Sequence, residues 1–156
     1  MGAIHFGLVG HGVATEIVPT VLATRSTAPC DPVVEALDRA HLAADGGTSP
    51  SPAVAVVETR IEWRDDGTIT EVGSLTVGGG HVLRFASLGC DLITAAPEFG
   101  VRHGTAILEV TGGSGSFAGA TGRLSSNSLI SAIGELTTYL VAVLFVPAGP
   151  RPDEMM

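Results

Sequence analysis

His103 to Arg123, HGTAILEVTGGSGSFAGATGR, contains a strand, a glycine-dense bend and the start of a second strand. Ala106, Leu108 and Val110 fall on one face and Ile107, Glu109 and Thr111 on the other, the period of two that marks a strand. Gly112, Gly113, Gly115, Gly119 and Gly122 follow, five glycines within eleven residues. Glycine tolerates positive φ and close backbone approach, so this loop can fold back over a neighbouring strand. Phe117 is the only large apolar side chain in the loop and is the plug expected to pin it. From Arg123 onward the chain again reads as extended.

Gly113, Gly115 and Ala118 also satisfy the dinucleotide fingerprint G-x-G-x-x-G/A after a strand. The surroundings exclude that reading. A helix opening there would carry Gly119 and Gly122 in its interior, at about 1 kcal/mol each relative to alanine. Only 34 residues follow Gly122, too few for the rest of a βαβαβ half.

The run from Val110 to Gly122, V-T-G-G-S-G-x-F-x-G-A-x-G, resembles the corresponding loop of allene oxide cyclases and, more loosely, that of plant dirigent proteins. It is also similar to small actinobacterial barrels, some of which act as cyclases in polyketide pathways. The close match covers 105–124, within a compatible strand-rich pattern over 54–146. The resemblance implies an all-β fold, an eight-stranded antiparallel β-barrel with an apolar interior, here with one short helix in an N-terminal insertion. A shared fold does not by itself carry an activity.

Composition bounds the rest. A chain of 156 residues makes one domain, taken as 1–147, and can bury about two-thirds of its unfolded surface. It is 45% hydrophobic and 15% charged, with positive mean hydropathy, which calls for a subunit interface or an apolar cavity. A net charge of −8 without a single lysine argues against nucleic acid and anionic membranes as partners. The N-terminus lacks the charged region of a signal peptide, and the longest apolar run, Leu140 to Val146, is too short to span a bilayer, so a cytoplasmic location is expected. Cys30 and Cys90 form no C-x-x-C pair, and no His or carboxylate stands at metal-ligand spacing, so no metal or other cofactor is assigned. Cys90 is read as a buried thiol or a cavity-lining one.

In chain order, 1–13 reads as an N-terminal arm and Ala14 to Ala23 as the first strand, with Glu16 its only charge. Glu16 faces either solvent or the barrel interior; the cyclases of this resemblance carry a glutamate on an early strand. The segment 24–52 reads as an insertion with a helix over 31–44, capped by Asp31 with Pro32 in its first turn, and with Val34, Leu37 and His41 or Leu42 on one face. The helix would either cover a barrel mouth or pack on a partner, and 45–52 would be a linker. Val54–Arg64 and Thr68–Val77 form a hairpin around Asp65-Asp66-Gly67. Glu58, Arg60, Glu62 and Arg64 make its solvated face, which turns Trp63 inward. Gly78 to Gly80 lead into a strand over 81–87, where Arg84 is either a rim residue or a fixed cation for a carboxylate or oxyanion. The segment 90–100 is a loop with a short strand at its start. A serine-rich strand, 124–131, turns near Gly134 into a strand over 136–146 whose two faces are both apolar, which points to a homo-oligomer interface. The tail, 148–156, is expected to be disordered.

No Ser-His-Asp triad, carboxylate pair or phosphate loop is evident. An apolar barrel suits reactions whose barrier is largely conformational, where correct geometry can contribute about 7–11 kcal/mol. The reading is a cofactor-free cyclase or isomerase of specialised metabolism, acting on an apolar polyketide-like or fatty-acid-like molecule. Glu16, Arg84 and Tyr139 would be its polar catalytic contacts, and Trp63, Phe85, Cys90 and Phe117 would contact substrate. The alternative is a non-catalytic ligand-binding or dirigent-like barrel. A structural domain would instead have an interior filled by its own side chains.

Overall fold

The computed structural model describes residues 2–39, 54–89 and 91–147. Nine strands follow in order: β1 (Gly2–Val18), β2 (Val21–Pro29), β3 (Val54–Trp63), β4 (Ile69–Val77), β5 (His81–Ser87), β6 (Leu92–Ala95), β7 (Arg102–Ser114), β8 (Thr121–Ile130) and β9 (Glu135–Val146). One helix, α1 (Asp31–Arg39), lies between β2 and β3, and a 3-10 turn (Gly115–Phe117) lies between β7 and β8. All pairings are antiparallel, in the order β5-β4-β3-β2-β1-β9-β8-β7, and β5 pairs back onto β7 to close an eight-stranded barrel. The ninth strand, β6, extends the lower part of β7 outside the closed ring.

Two boundaries differ from the sequence reading. β1 is 17 residues long and begins at Gly2, so the supposed N-terminal arm is strand. Ile4, Phe6 and Leu8 are buried while His5, Gly7 and Val9 face out, a strict alternation that the GHG sequence obscures. Pro19 and Thr20 then make the turn into β2, so part of the proposed insertion is also barrel wall. The helix forms as expected over 31–39: Val33, Ala36 and Leu37 are its buried residues, and Val34 is half-buried against the same core. These three join the core with Ile4 and Phe6, so α1 covers one end of its own barrel. The linker over 45–52, the residues 40–44 and the tail over 148–156 lie outside the described residues.

The interior has three levels. At the α1 end, Val33, Leu37, Leu75, Val77, Leu83, Leu108, Phe117, Ala142 and Leu144 are fully buried. Phe117 plugs this end, as its place in the glycine loop led us to expect. Gly113 lies so close beneath it that an added Cβ would sit 2.3 Å from the Phe117 carbonyl oxygen, and Gly115 takes a φ of +62°. Gly113→Ala is therefore expected to displace the Phe117 backbone and destabilise the fold by about 1–3 kcal/mol in urea denaturation. At the opposite end, Leu22, Ile61, Ile69, Ile130 and Leu136 form a second apolar cluster, with Trp63 and Ile93 packed against it. Between the two clusters runs a belt of small and polar residues, Thr24, Ser26, Thr59, Glu71, Ser126, Ser128 and Thr138.

Candidate functional site

The belt is built by strand parity. Inward positions on neighbouring strands carry Thr24 opposite Thr59 and Ser128 opposite Thr138. The Thr24 and Thr59 hydroxyls hydrogen-bond to each other, and the Ser128 and Thr138 hydroxyls do so at 3.1 Å. Each pair largely satisfies itself, as buried hydroxyls must. Glu71 differs. It occupies the inward row of β4 with Ile69, Gly73, Leu75 and Val77, and it is 7% exposed. Among the described residues, nothing hydrogen-bonds to its carboxyl group.

A seam in the barrel explains how Glu71 is held. β5 ends at Ser87, leaving the start of β4 and the lower part of β7 without a strand between them. The Glu71 N–H donates to the Ser87 hydroxyl at 2.9 Å in place of a ladder bond. Asp91 then fills the gap. Its carbonyl accepts from the Ile69 N–H at 3.4 Å, and its Oδ1 accepts from the Ile107 N–H at 3.2 Å. Asp91 is 2% exposed, and its Oδ2 has no hydrogen-bond partner among the described residues.

These surroundings set the protonation of both acids. Burial, and then the neighbouring Asp91 charge, push the Glu71 carboxyl up to about 7 from 4.5. Burial also raises the Asp91 carboxyl above its ordinary value, partly offset by the Ile107 N–H and the Ser87 hydroxyl. A carboxyl group that ionises near neutrality can both give and take a proton, which suits a general acid or base.

Glu71 borders two small interior cavities. The first, about 20 Å³, is lined by Thr24, Val57, Phe85, Ser126 and Leu140 among others. The second, about 10 Å³, lies towards Ile69, Ile93, Gly104 and Ala106. Ile61, Ser126, Ser128 and Ile130 border both. The first has room for about one water molecule. Above this level, the Arg102 guanidinium sits 6.0 Å over the Trp63 ring, reaching from β7 to β3 across the mouth.

The residues expected to act together are not brought together. Leu83 and Phe85 take the inward positions on β5, so Arg84 is exposed on the outside. Thr138 and Leu140 do the same on β9, leaving Tyr139 outward and 47% exposed. Glu16 lies beyond the last half-buried inward residue of β1, Ala14, near the turn into β2, and is exposed. Phe85 does line the first cavity, and Trp63 is half-buried at the mouth. Phe117 is buried in the opposite end, away from both cavities, and Cys90 lies outside the described residues. The interior carboxyl that sequence reasoning missed is Glu71. Its signal was a charge on the same parity as Ile69, Leu75 and Val77.

No group of three or more His, Cys, Asp or Glu among the described residues is placed to hold a metal ion, and no helix among them is long and apolar enough to cross a membrane. No family model, curated protein or solved structure matches the chain.

Proposed function

We propose that the protein is a cofactor-free cyclase or isomerase whose proton-transfer group is Glu71, acting on a largely apolar small molecule held in the barrel. One observation carries this reading: a carboxyl group without a hydrogen-bond partner among the described residues, almost fully buried and bordering both interior cavities. The walls Val57, Ile61, Phe85, Ile130, Leu136 and Leu140 would hold an apolar chain, and Ser126 would supply a hydroxyl on the lining of the same cavities. The resemblance of the glycine loop to barrel cyclases points the same way. The test begins with mass spectrometry of small molecules that the purified protein enriches from a lysate of its source, followed by turnover assays on the enriched scaffold. Glu71→Gln is expected to lower kcat by about a hundredfold or more, with little change in ligand affinity below neutrality. Unchanged turnover in that variant would remove Glu71 from the chemistry.

The water-sized cavity favours a second reading, a non-catalytic barrel that binds small ligands weakly or is filled by its own side chains. Under that reading Glu71→Gln changes affinity or stability alone.

Self-association is proposed through the outer face of β9. Tyr139, Val141, Val143 and Phe145 are 43–53% exposed in one row, continued on β1 by Val9 at 45%. A contiguous band of large apolar side chains of this kind marks an interaction surface. Val143→Glu, which points outward and leaves the interior intact, is expected to convert the assembly to monomers in sedimentation velocity. A monomeric parent protein would contradict this.

A further inference from the structure

We infer that the Glu71 pocket takes an uncharged, mostly apolar molecule with a hydrogen-bond-accepting oxygen, such as a ketone, admitted through the Trp63 end of the barrel. The inference rests on Glu71 as the polar centre of the site and adds the class of ligand and its route.

The route follows from packing. At the α1 end, Val33, Leu37, Phe117, Leu83, Leu108 and Leu144 are all within 1% of complete burial, so no passage runs between them. At the other end the buried cluster of Leu22, Ile61, Ile69, Ile130 and Leu136 is bordered by Trp63 and Ile93, which are only half-buried, and the Arg102 guanidinium lies 6.0 Å over the Trp63 ring. An exposed cation–π contact contributes only about 0.5–1 kcal/mol, so it can open readily. The second cavity lies on this side and the first between the two clusters; at about 10 and 20 Å³ both are smaller than a four-carbon ligand, which has to displace the surrounding side chains as it enters.

The ligand class follows from charge. Among the described residues Glu71 and Asp91 are the buried charged ones, and every arginine is exposed. An anionic group entering the pocket would lie beside Glu71, with Asp91 behind it in the seam and no cation among the described lining residues to meet it, and would lose its hydration. A cationic group would be desolvated against Val57, Ile61, Phe85 and Leu136, and it would need Glu71 ionised. A neutral carbonyl oxygen needs only a donor. The protonated Glu71 carboxyl supplies one, and the Ser126 hydroxyl, on the lining of the same two cavities, supplies a second. Facing Glu71 from the seam are Asp91 and the Ser87 hydroxyl. Among the described residues, the inward rows of β1, β2, β3, β5, β7, β8 and β9 bring no other titratable side chain to this level.

The test uses a matched set of four-carbon probes, butanone, butyrate and butylammonium, followed by NMR shifts of the Ile61, Ile130 and Leu136 methyls and the Trp63 indole N–H. Butanone is expected to give saturable shifts at these groups, with the Leu108 and Leu144 methyls unmoved. With Glu71 titrating at about 7, its apparent affinity should fall about thirtyfold between about pH 5.5 and about pH 8.5. In Glu71→Gln the affinity should be independent of pH. Saturable shifts from butyrate or butylammonium, shifts centred on Leu108 and Leu144, or none from butanone would overturn the inference. Ketone binding without any turnover would leave it standing and remove the catalytic reading. Turnover together with binding of either ion would do the reverse.

Discussion

Glu71→Gln is expected to stabilise the protein above neutral pH by on the order of 3 kcal/mol, and to flatten its dependence of stability on pH. Glu71 ionises at about 7 in the folded chain and at its ordinary value, 4.5, when unfolded. Below 4.5 the group is protonated in both states, so its full contribution is present. As pH rises towards 7 the unfolded chain releases this proton while the folded chain keeps it, so folding stability falls; above 7 the loss is complete. Asp91, also raised, adds to the same trend. Glutamine keeps the shape of the side chain and cannot ionise, so the two proteins should be equally stable in acid and diverge as pH rises. Urea denaturation at a series of pH values reads this directly. Parallel curves for the two proteins would mean that Glu71 ionises inside the barrel as it does in the unfolded chain, and the acid–base role near neutrality would go with it.

Phe117→Ala should cost about 3–5 kcal/mol, because the ring is fully buried and its removal leaves a cavity in the most tightly packed end of the barrel. For a domain of this size that corresponds to a melting temperature lower by about 10 °C. The loop around Phe117 is bound into the fold by backbone contacts as well. The Ala118 N–H donates to the Gly115 carbonyl at 3.1 Å, and the Ala120 N–H to the Phe117 carbonyl at 3.0 Å. The ring is remote from the Glu71 pocket, so the pH dependence of stability should survive the substitution unchanged. A loss below about 1 kcal/mol would show that the glycine loop rests on the barrel without forming part of its core.

The parts of this fold that could be read from the chain are those with a local cause. The hairpin of β3 and β4 closes through Gly67, whose N–H donates to the Arg64 carbonyl at 3.0 Å, and through Asp66, which accepts from the Thr68 N–H at 2.9 Å. The D-G signal and the period of two are both properties of adjacent residues. The exposed row Glu58, Arg60, Glu62 and Arg64 was legible for the same reason. What could not be read depends on where strands end. Glu16 is outside because the inward row of β1 stops at Ala14, and that limit is set by pairing with β2 and β9. Asp91 is buried because β5 stops at Ser87 and leaves a seam, which no local pattern records. Glu71 lies between these cases. Its parity with Ile69, Leu75 and Val77 is visible in the chain, but its lack of a partner follows only once the barrel is closed.

The outer and inner faces of β9 show the same division. That both were apolar could be seen in the sequence. Which one fills the barrel was decided by the pairing of Leu140 with Leu8 and Ser126, both of them inward-facing. Tyr139 was thereby carried to the outside with Val141, Val143 and Phe145.

The most direct measurement is difference infrared spectroscopy of the carboxyl stretch through neutral pH, on the parent protein and on Glu71→Gln. The account predicts a protonated-carboxyl band that persists well above the usual carboxylate range, disappears with a midpoint of about 7 and is missing from the variant. A parent protein with no component of midpoint about 7, or a Glu71→Gln spectrum that keeps that component at full intensity, would show that the barrel holds no neutral Glu71 and would contradict the central claim; any residual band of Asp91 is common to both proteins and cancels in the comparison.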